Sequence, residues 1–236
     1  HVFLVTAPER PEATVRSASE LARTGRPGPV VVDIPKDVQN WQGAFMGGGA
    51  LPLTGYRRRL QKVTGNRLSD EACERFFTML AESDRPLIYA GGGVINANAA
   101  KSMRRLASEY GIPVTTTLMA LGASDTRHPL ALHMLGMHGL ASANYAVEDC
   151  DFLIAVGARF DDRVAGDPVR FAPNAKHIAH FDVDSAEIGK VKRVDWHQVG
   201  LLDRDLNELL AYGRRIGFSK NFDEWHAEIA HLKNEH

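Results

Sequence analysis

Cysteine is nearly missing from this 236-residue sequence: Cys73 and Cys150 are the only two, and their separation allows neither a disulfide framework nor a zinc quartet. So little thiol points to a reducing compartment. Long apolar runs are missing as well. No stretch reaches the roughly 18–20 uninterrupted apolar residues of a membrane span, and no basic-then-apolar leader opens the sequence, which argues against membrane insertion and secretion. Nor is there an excess of one charge, since 28 Lys and Arg face 29 Asp and Glu for a net charge of −1. That balance removes the basic footprint a nucleic-acid partner needs. What is present, with 44% hydrophobic residues and no internal repeat, is the composition of an ordinary globular protein of one or two domains.

His1–Val5 is apolar and strand-like with no initiator methionine, and a helix-like run is still under way at Lys233–His236, so both ends are expected to be cuts. Apolar and small residues at three- and four-residue steps predict a helix over Glu12–Thr24, stopped by Gly25. The β-branched run Val30–Ile34, bounded by Pro35, predicts a buried strand. Residues 39–66 contain Gly47-Gly48-Gly49, Pro52 and the basic triplet Arg57–Arg59 but no sustained period, and are expected to form a solvated linker. Ser69 caps a helix that should run to Glu82. Strands are then expected at Pro86–Ala90, Pro113–Thr117, Phe152–Val156 and His177–Val183, with an edge strand near Val194–Val199. Helices are expected at Ala97–Tyr110, Ala141–Glu148, Ala186–Ile188 and Asp203–Arg214. This alternation predicts an α/β fold, a three-layer, Rossmann-like parallel sheet covered on both faces, preceded by a fragment of a second α/β domain. The expected division is residues 1–38 for that fragment, 39–66 for the linker, 67–215 for the main domain and 216–236 for the start of a further linker or helix.

Parallel sheets bind ligands at the carboxyl ends of their strands. Each predicted strand there runs into a polar or glycine-rich loop: Gly91-Gly92-Gly93, Thr117–Gly122, Gly157–Arg163 and Asp182-Val183-Asp184-Ser185. Four such loops on one rim suit a nucleotide-like cofactor. The first lacks the third glycine of the dinucleotide fingerprint and no acid follows to take a ribose hydroxyl, which disfavours NAD; its glycines equally serve a tight strand-to-helix turn. Gly157-Ala158-Arg159-Phe160-Asp161-Asp162-Arg163 is more specific, with arginines suited to phosphate or carboxylate, against the plainer reading of a loop-closing salt-bridge cluster. His128, His133 and His138 come at steps of five, off a common helix face and without spaced co-ligands, so no metal is expected. Leu135–Gly139 reads as a loop whose glycines let backbone approach a flat ring beside Met137, or as ordinary loop packing. No nucleophile elbow, P-loop lysine or H-E-x-x-H is present, so no complete catalytic machine is read.

Together, Gly25–Asp37, Thr117–Gly122, Leu132–Gly139, Gly157–Arg163 and Asp182–Lys190 resemble the catalytic subunit of acetohydroxyacid (acetolactate) synthase, a thiamine-diphosphate enzyme, over essentially the whole sequence. The resemblance implies the end of a pyrimidine-binding domain followed by a central FAD-binding domain. It implies condensation of two pyruvates, or of pyruvate with 2-oxobutyrate, with loss of carbon dioxide, in branched-chain amino acid synthesis. Thiamine diphosphate with Mg2+ supplies that chemistry, and FAD is mostly structural. The FAD contacts it implies are Arg26, Gly92, Thr117, Leu118, Leu135, Gly136, Met137, His138, Gly157, Ala158, Arg159, Phe160, Asp161, Asp182 and Val183. Lys36, Asp162 and Arg163 are implied to line a substrate channel, attracting and positioning a 2-oxoacid carboxylate. A homodimer or tetramer, a regulatory subunit, and a bacterial cytoplasmic location, or else a plastid or mitochondrial one, are also implied.

Two departures qualify the resemblance. Gly200-Leu201-Leu202 stands where the family has Gly-Asp, removing a carboxylate near the adenine end. The thiamine-activating glutamate would precede His1 and the magnesium motif would follow His236, so no catalytic residue is expected here and these 236 residues alone are expected to be inactive. The alternatives are a stand-alone nucleotide-binding or scaffold module and, disfavoured by the missing acid, an NAD-dependent deacylase.

Overall fold

A computed structural model describes residues 1–44 and 54–235, which form two compact units, 1–65 and 66–236. In the first, β1 (Val2–Leu4), α1 (Pro11–Arg23) and β2 (Val31–Asp33) make a β–α–β crossover, with Val2 paired to Val31 in parallel. Pro11 opens α1 where the missing N–H has no helical partner to lose, and Gly25 leaves it at φ +64. The strand expected to be buried is not: Val31 is 56% exposed, because β2 belongs to a two-stranded sheet rather than to the middle of a large one. After the short α2 (Lys36–Gln39), part of the expected linker is helical, as α3 (Thr54–Gly65). Arg57 of the basic triplet pairs with Glu20 at 3.1 Å. Gly47-Gly48-Gly49 and Pro52 lie outside the described residues.

The second unit begins with α4 (Asp70–Glu82), capped as expected by Ser69, whose hydroxyl oxygen accepts the Ala72 N–H at 3.1 Å. There follow β3 (Pro86–Ala90), α5 (Gly92–Asn96), α6 (Ala100–Glu109), β4 (Val114–Thr116), β5 (Ala131–Met134), α7 (Ala141–Asp149) and β6 (Phe152–Val156). Then come α8 (Asp162–Ala165), β7 (His177–Asp182), β8 (Trp196–Val199), α9 (Leu202–Arg215) and α10 (Asp223–Glu235). The six strands form one all-parallel sheet in the order β5-β4-β3-β6-β7-β8. Central β3 and β6 are buried at every residue, which is why they read as unbroken apolar runs rather than alternating ones. On one face Phe76 of α4 packs against Phe152, Phe181 and Trp196, with ring centroids 5.5–6.1 Å away. The interleaved residues Tyr89, Ala155 and His180 share the opposite face.

The structure departs from the expected elements in three places. The helix expected over Ala97–Tyr110 is α6 alone, beginning at Ala100 because Asn98 takes φ 53 just before it, and the short α5 that precedes it was not expected. Ala186–Ile188 forms turns: the Asp182 carboxylate accepts the Asp184 N–H at 2.8 Å and Asp184 accepts that of Ala186 at 3.0 Å, local bonds that compete with a helix. Strand β5 was not expected, since its pairing with β4 is interrupted where His133 sits at φ 59 and its residues show no clean alternation. Residues 216–235, expected to begin a further linker or helix, include α10 and fall within the second unit, where the buried Trp225 donates its indole N–H to the Pro86 carbonyl at 3.0 Å beside buried Ile229. No helix among the described residues is long and apolar enough to cross a membrane.

The turn into β3 is tied to the start of β6 by Asp151. Its carboxylate accepts the Ser83 hydroxyl at 2.6 Å and the Asp84 and Arg85 N–H groups at 3.0 and 2.9 Å. Burial would raise this acid, but the three hydrogen bonds and the Lys176 charge outweigh it and hold the carboxyl below its ordinary value of 3.8. Its contribution to stability is therefore complete above that value and is lost as pH falls through the lower folded-state value. Asp151→Ala is expected to destabilise the chain by about 1–3 kcal/mol, stranding partly buried donors. Urea melts at pH 7 and pH 3 check this: the gap between variant and wild type should narrow at pH 3.

Candidate functional site

The rim at the carboxyl edge is stitched together one residue beyond each strand. Thr117 N–H donates to Ala90 O at 2.9 Å, Gly91 N–H to Val156 O at 2.9 Å, and Gly157 N–H to Phe181 O at 2.8 Å. Leu135 N–H donates to Thr116 O at 3.2 Å and Gly200 N–H to Asp182 O at 3.2 Å. Continuing the ladder this way lays Gly91–Gly93, Thr117–Leu121, Leu135–Gly139, Gly157–Arg163 and Asp182–Asp184 side by side.

The glycines make this approach feasible. Gly157 holds φ +57, and a Cβ there would stand 2.8 Å from the Gly93 Cα; a Cβ on Gly93 would stand 2.7 Å from the Gly157 Cα. Gly93 N–H in turn bonds Gly157 O at 2.9 Å. Close packing is thus what Gly93 and Gly157 serve in this fold. Gly136, at φ +96, is gripped by Asn144 of α7, whose carbonyl accepts the Gly136 N–H at 2.8 Å and whose amide donates to Gly136 O at 3.1 Å. From there Met137 N–H bonds Arg163 O at 3.2 Å, joining the Leu135–Gly139 loop to the end of the Gly157–Arg163 loop. The two border an open cavity of about 550 Å3, lined among others by Gly136, Met137, Asp162, Arg163, Arg170 and Phe171.

Charge on this loop is divided. Arg159 pairs with Asp161 at 3.0 Å, so the salt-bridge reading holds for that arginine. The Asp161 carboxyl is held below its ordinary range by its hydrogen-bonding contact with Asp162, by the Arg163 N–H, and by the charges of Arg159 and Arg163. Arg163 and Arg170 form no side-chain ion pair among the described residues, and both face the cavity as exposed cations. Apolar surface is also presented: Leu118, Met119 and Met137 are 66, 74 and 64% exposed on the rim. Beneath them the Thr117 Oγ1 is buried with no hydrogen-bond partner among the described residues.

The structure therefore gathers Gly92, Thr117, Leu118, Leu135, Gly136, Met137, His138, Gly157–Arg163, Asp182 and Val183 along one edge. Arg26 and Lys36 belong to the first unit. Among the described residues no three His, Cys, Asp or Glu side chains gather as a metal site. The departure at Leu201 acquires a structural counterpart. Asp205, buried in the first turns of α9, lies so close to Gly200 that any side chain there would strike its carboxylate, and burial raises its pKa. Asn144 and Arg170 escaped the sequence reading. A lone asparagine among small residues of a predicted helix was the only signal for the first, and Arg170 lies in a stretch without periodicity.

The second unit is thus a parallel α/β domain whose carboxyl edge carries a glycine- and arginine-bearing rim, the edge at which sheets of this kind receive ligands. The family model for the central domain of thiamine pyrophosphate enzymes matches residues 73–209, and the chain belongs to that family. It is 48% identical over 236 residues to the probable acetolactate synthase large subunit of Methanocaldococcus jannaschii, covering 99% of this chain and 39% of that protein. It is 40% identical over 235 residues to the acetolactate synthase isozyme 1 large subunit of Escherichia coli K12, covering 100% and 39%. To the chloroplastic acetolactate synthase 1 of Zea mays it is 42% identical over 238 residues, covering 100% and 36%. The chain thus spans less than two fifths of the length of these relatives.

If the Gly93–Gly157 contact sets the rim, Gly93→Ala and Gly157→Ala should each destabilise the second unit by about 1–3 kcal/mol through overpacking, with Gly157→Ala the worse because of its positive φ. The double variant should cost less than the sum, since one displacement relieves both clashes. Thermal melts of the four proteins check this, and strict additivity would show that the two sites do not share a constraint.

Proposed function

We propose that this chain is the FAD-binding central part of an acetolactate synthase large subunit, contributing one wall of the channel by which 2-oxoacids reach the reacting centre. The observation that carries the reading is the junction of Leu135–Gly139 with Gly157–Arg163 through the Met137–Arg163 backbone bond, beside a cavity large enough for part of a cofactor. The exposed Leu118, Met119 and Met137 offer adaptable apolar surface to a flat ring, and the Thr117 hydroxyl lacks a partner that a polar ligand atom would supply. Arg159, already steered by Asp161, suits the anionic part of such a ligand.

Bound there, FAD would serve mainly as structure, while thiamine diphosphate would supply the carbon–carbon chemistry of the complete enzyme. The chain's own residues would do electrostatic work: Arg163 and Arg170 attract a 2-oxoacid carboxylate to the cavity and orient it. Pyruvate, with a second pyruvate or 2-oxobutyrate as acceptor, is the substrate class this reading entails. Similarity to proteins named large subunits also favours a smaller regulatory partner and a symmetric oligomer.

Titration of the chain with FAD, followed by flavin fluorescence with FMN and NAD as controls, is expected to saturate with a preference for FAD. No binding by a chain whose circular dichroism is that of the folded α/β domain would overturn the flavin reading in favour of a scaffold module. In the complete large subunit, Arg163→Gln is expected to raise KM for pyruvate by about tenfold or more, the loss of one charge-assisted contact, and to leave FAD affinity within about twofold. An unchanged KM would remove Arg163 from substrate attraction.

A further inference from the structure

Tyr89, Ala155 and His180 stand in one register row across β3, β6 and β7, all on the same face of the sheet. The middle residue is only an alanine. Over this row Phe160 folds back from the rim, its ring 5.8 Å from that of Tyr89 and 5.4 Å from that of His180. The two flanking side chains reach the rim loop's backbone. The Tyr89 hydroxyl donates to the Arg159 carbonyl at 2.7 Å, and His180 Nε2 lies 2.9 Å from the Ala158 carbonyl. Tyr89, Phe160 and His180 are all buried.

A carbonyl oxygen only accepts, so His180 Nε2 must carry the ring proton. Its Nδ1 is buried with no partner among the described residues, and a second proton there would find no acceptor. Burial accordingly pushes the ring pKa down to about 4, against the opposing pull of the Ala158 bond. Burial pushes the Tyr89 phenol up, so it too stays a donor. Both groups therefore hold their carbonyls without titrating near neutrality.

Planarity carries the effect across the peptide. The described chain has no cis peptide bond, and in a trans unit the N–H points opposite to its C=O. Fixing the Ala158 and Arg159 carbonyls on His180 and Tyr89 turns the N–H groups of Arg159 and Phe160 away from those side chains. Neither N–H has an acceptor among the described residues.

We propose that Tyr89 and His180 are positioning residues which, by holding two successive carbonyls from beneath, present the Arg159 and Phe160 N–H groups to an anionic oxygen of the bound ligand. Two adjacent backbone donors beside an arginine suit a diphosphate. The inference rests on the flavin reading for the identity of the ligand, though not for the state of the loop.

The test uses the 15N-labelled chain with Tyr89→Phe, His180→Leu and His180→Gln, the last keeping an amide N–H near the place of Nε2. Without ligand, the Arg159 and Phe160 amide resonances are expected to move in Tyr89→Phe and His180→Leu and to return towards wild type in His180→Gln. FAD affinity should fall about five- to tenfold in the first two and recover to within about twofold in the third. Tyr89→Phe removes a single oxygen, so the test survives if His180→Leu fails to fold. Unmoved amides, or wild-type FAD affinity in Tyr89→Phe and His180→Leu, or in Tyr89→Phe alone where His180→Leu does not fold, overturns the inference. If wild type does not bind FAD, the flavin reading falls instead and inorganic pyrophosphate becomes the probe. It should then perturb the Arg159 and Phe160 amides in wild type and less in Tyr89→Phe, and no perturbation overturns the inference.

Discussion

The close crossing of Gly157 over Gly93 is the constraint on which the rim depends. With each Cα within 2.8 Å of where the other's Cβ would stand, the loops after β3 and β6 can continue the sheet's ladder beyond its last residues only because both residues are glycine. Any side chain at either position would separate them. The consequence is positional: the backbone of Gly157–Asp161 is delivered onto the middle of the sheet, where Phe160 can settle over Ala155 between Tyr89 and His180. Loop conformation here is thus set from the core outwards. That is an economical arrangement for a ligand site, because donors held rigid before binding lose little freedom when the ligand arrives.

Buried polar groups in this unit fall into two kinds with opposite electrostatics. Asp151 is surrounded by donors and stays ionised, tying a turn to a strand. His180 and Tyr89 meet carbonyl acceptors in a dry setting and stay neutral donors. The first kind holds the amino end of the central strands; the second shapes the carboxyl end where a ligand would lie. Asp205, raised by burial despite its contact with Arg204, is the intermediate case, and it places a carboxyl against Gly200 where the neighbouring Leu201 has none.

Much of the second unit was legible before its coordinates. Pro86–Ala90 and Phe152–Val156 are strands to the residue, since a strand buried on both faces must be apolar throughout, and Ser69 marks the start of α4 because an orphan N–H needs an acceptor. The strand-end loops were legible for the same reason: glycine, arginine and aspartate directly after an apolar run have few other uses. Elements of mixed composition were less so. Strand β5 carries His133 at positive φ, and the helix expected from Ala97 starts only at Ala100, after Asn98 at positive φ, events decided by the neighbours each residue meets rather than by its own preference.

Sequence by itself determined the alternation of strands and helices, the parallel sheet that follows from it, and the set of loops that end on one edge, because periodicity and backbone preference are local. It also carried the resemblance to the thiamine-diphosphate enzymes in Met137-His138-Gly139 and Gly157–Arg163. Only the tertiary structure decided which side chains support those loops. Tyr89 and His180 lie 70 and 22 residues from the carbonyls they hold, and no spacing rule connects them. Their meeting is a matter of sheet order and register, which place β3 and β7 on either side of β6 and bring three distant residues into one row.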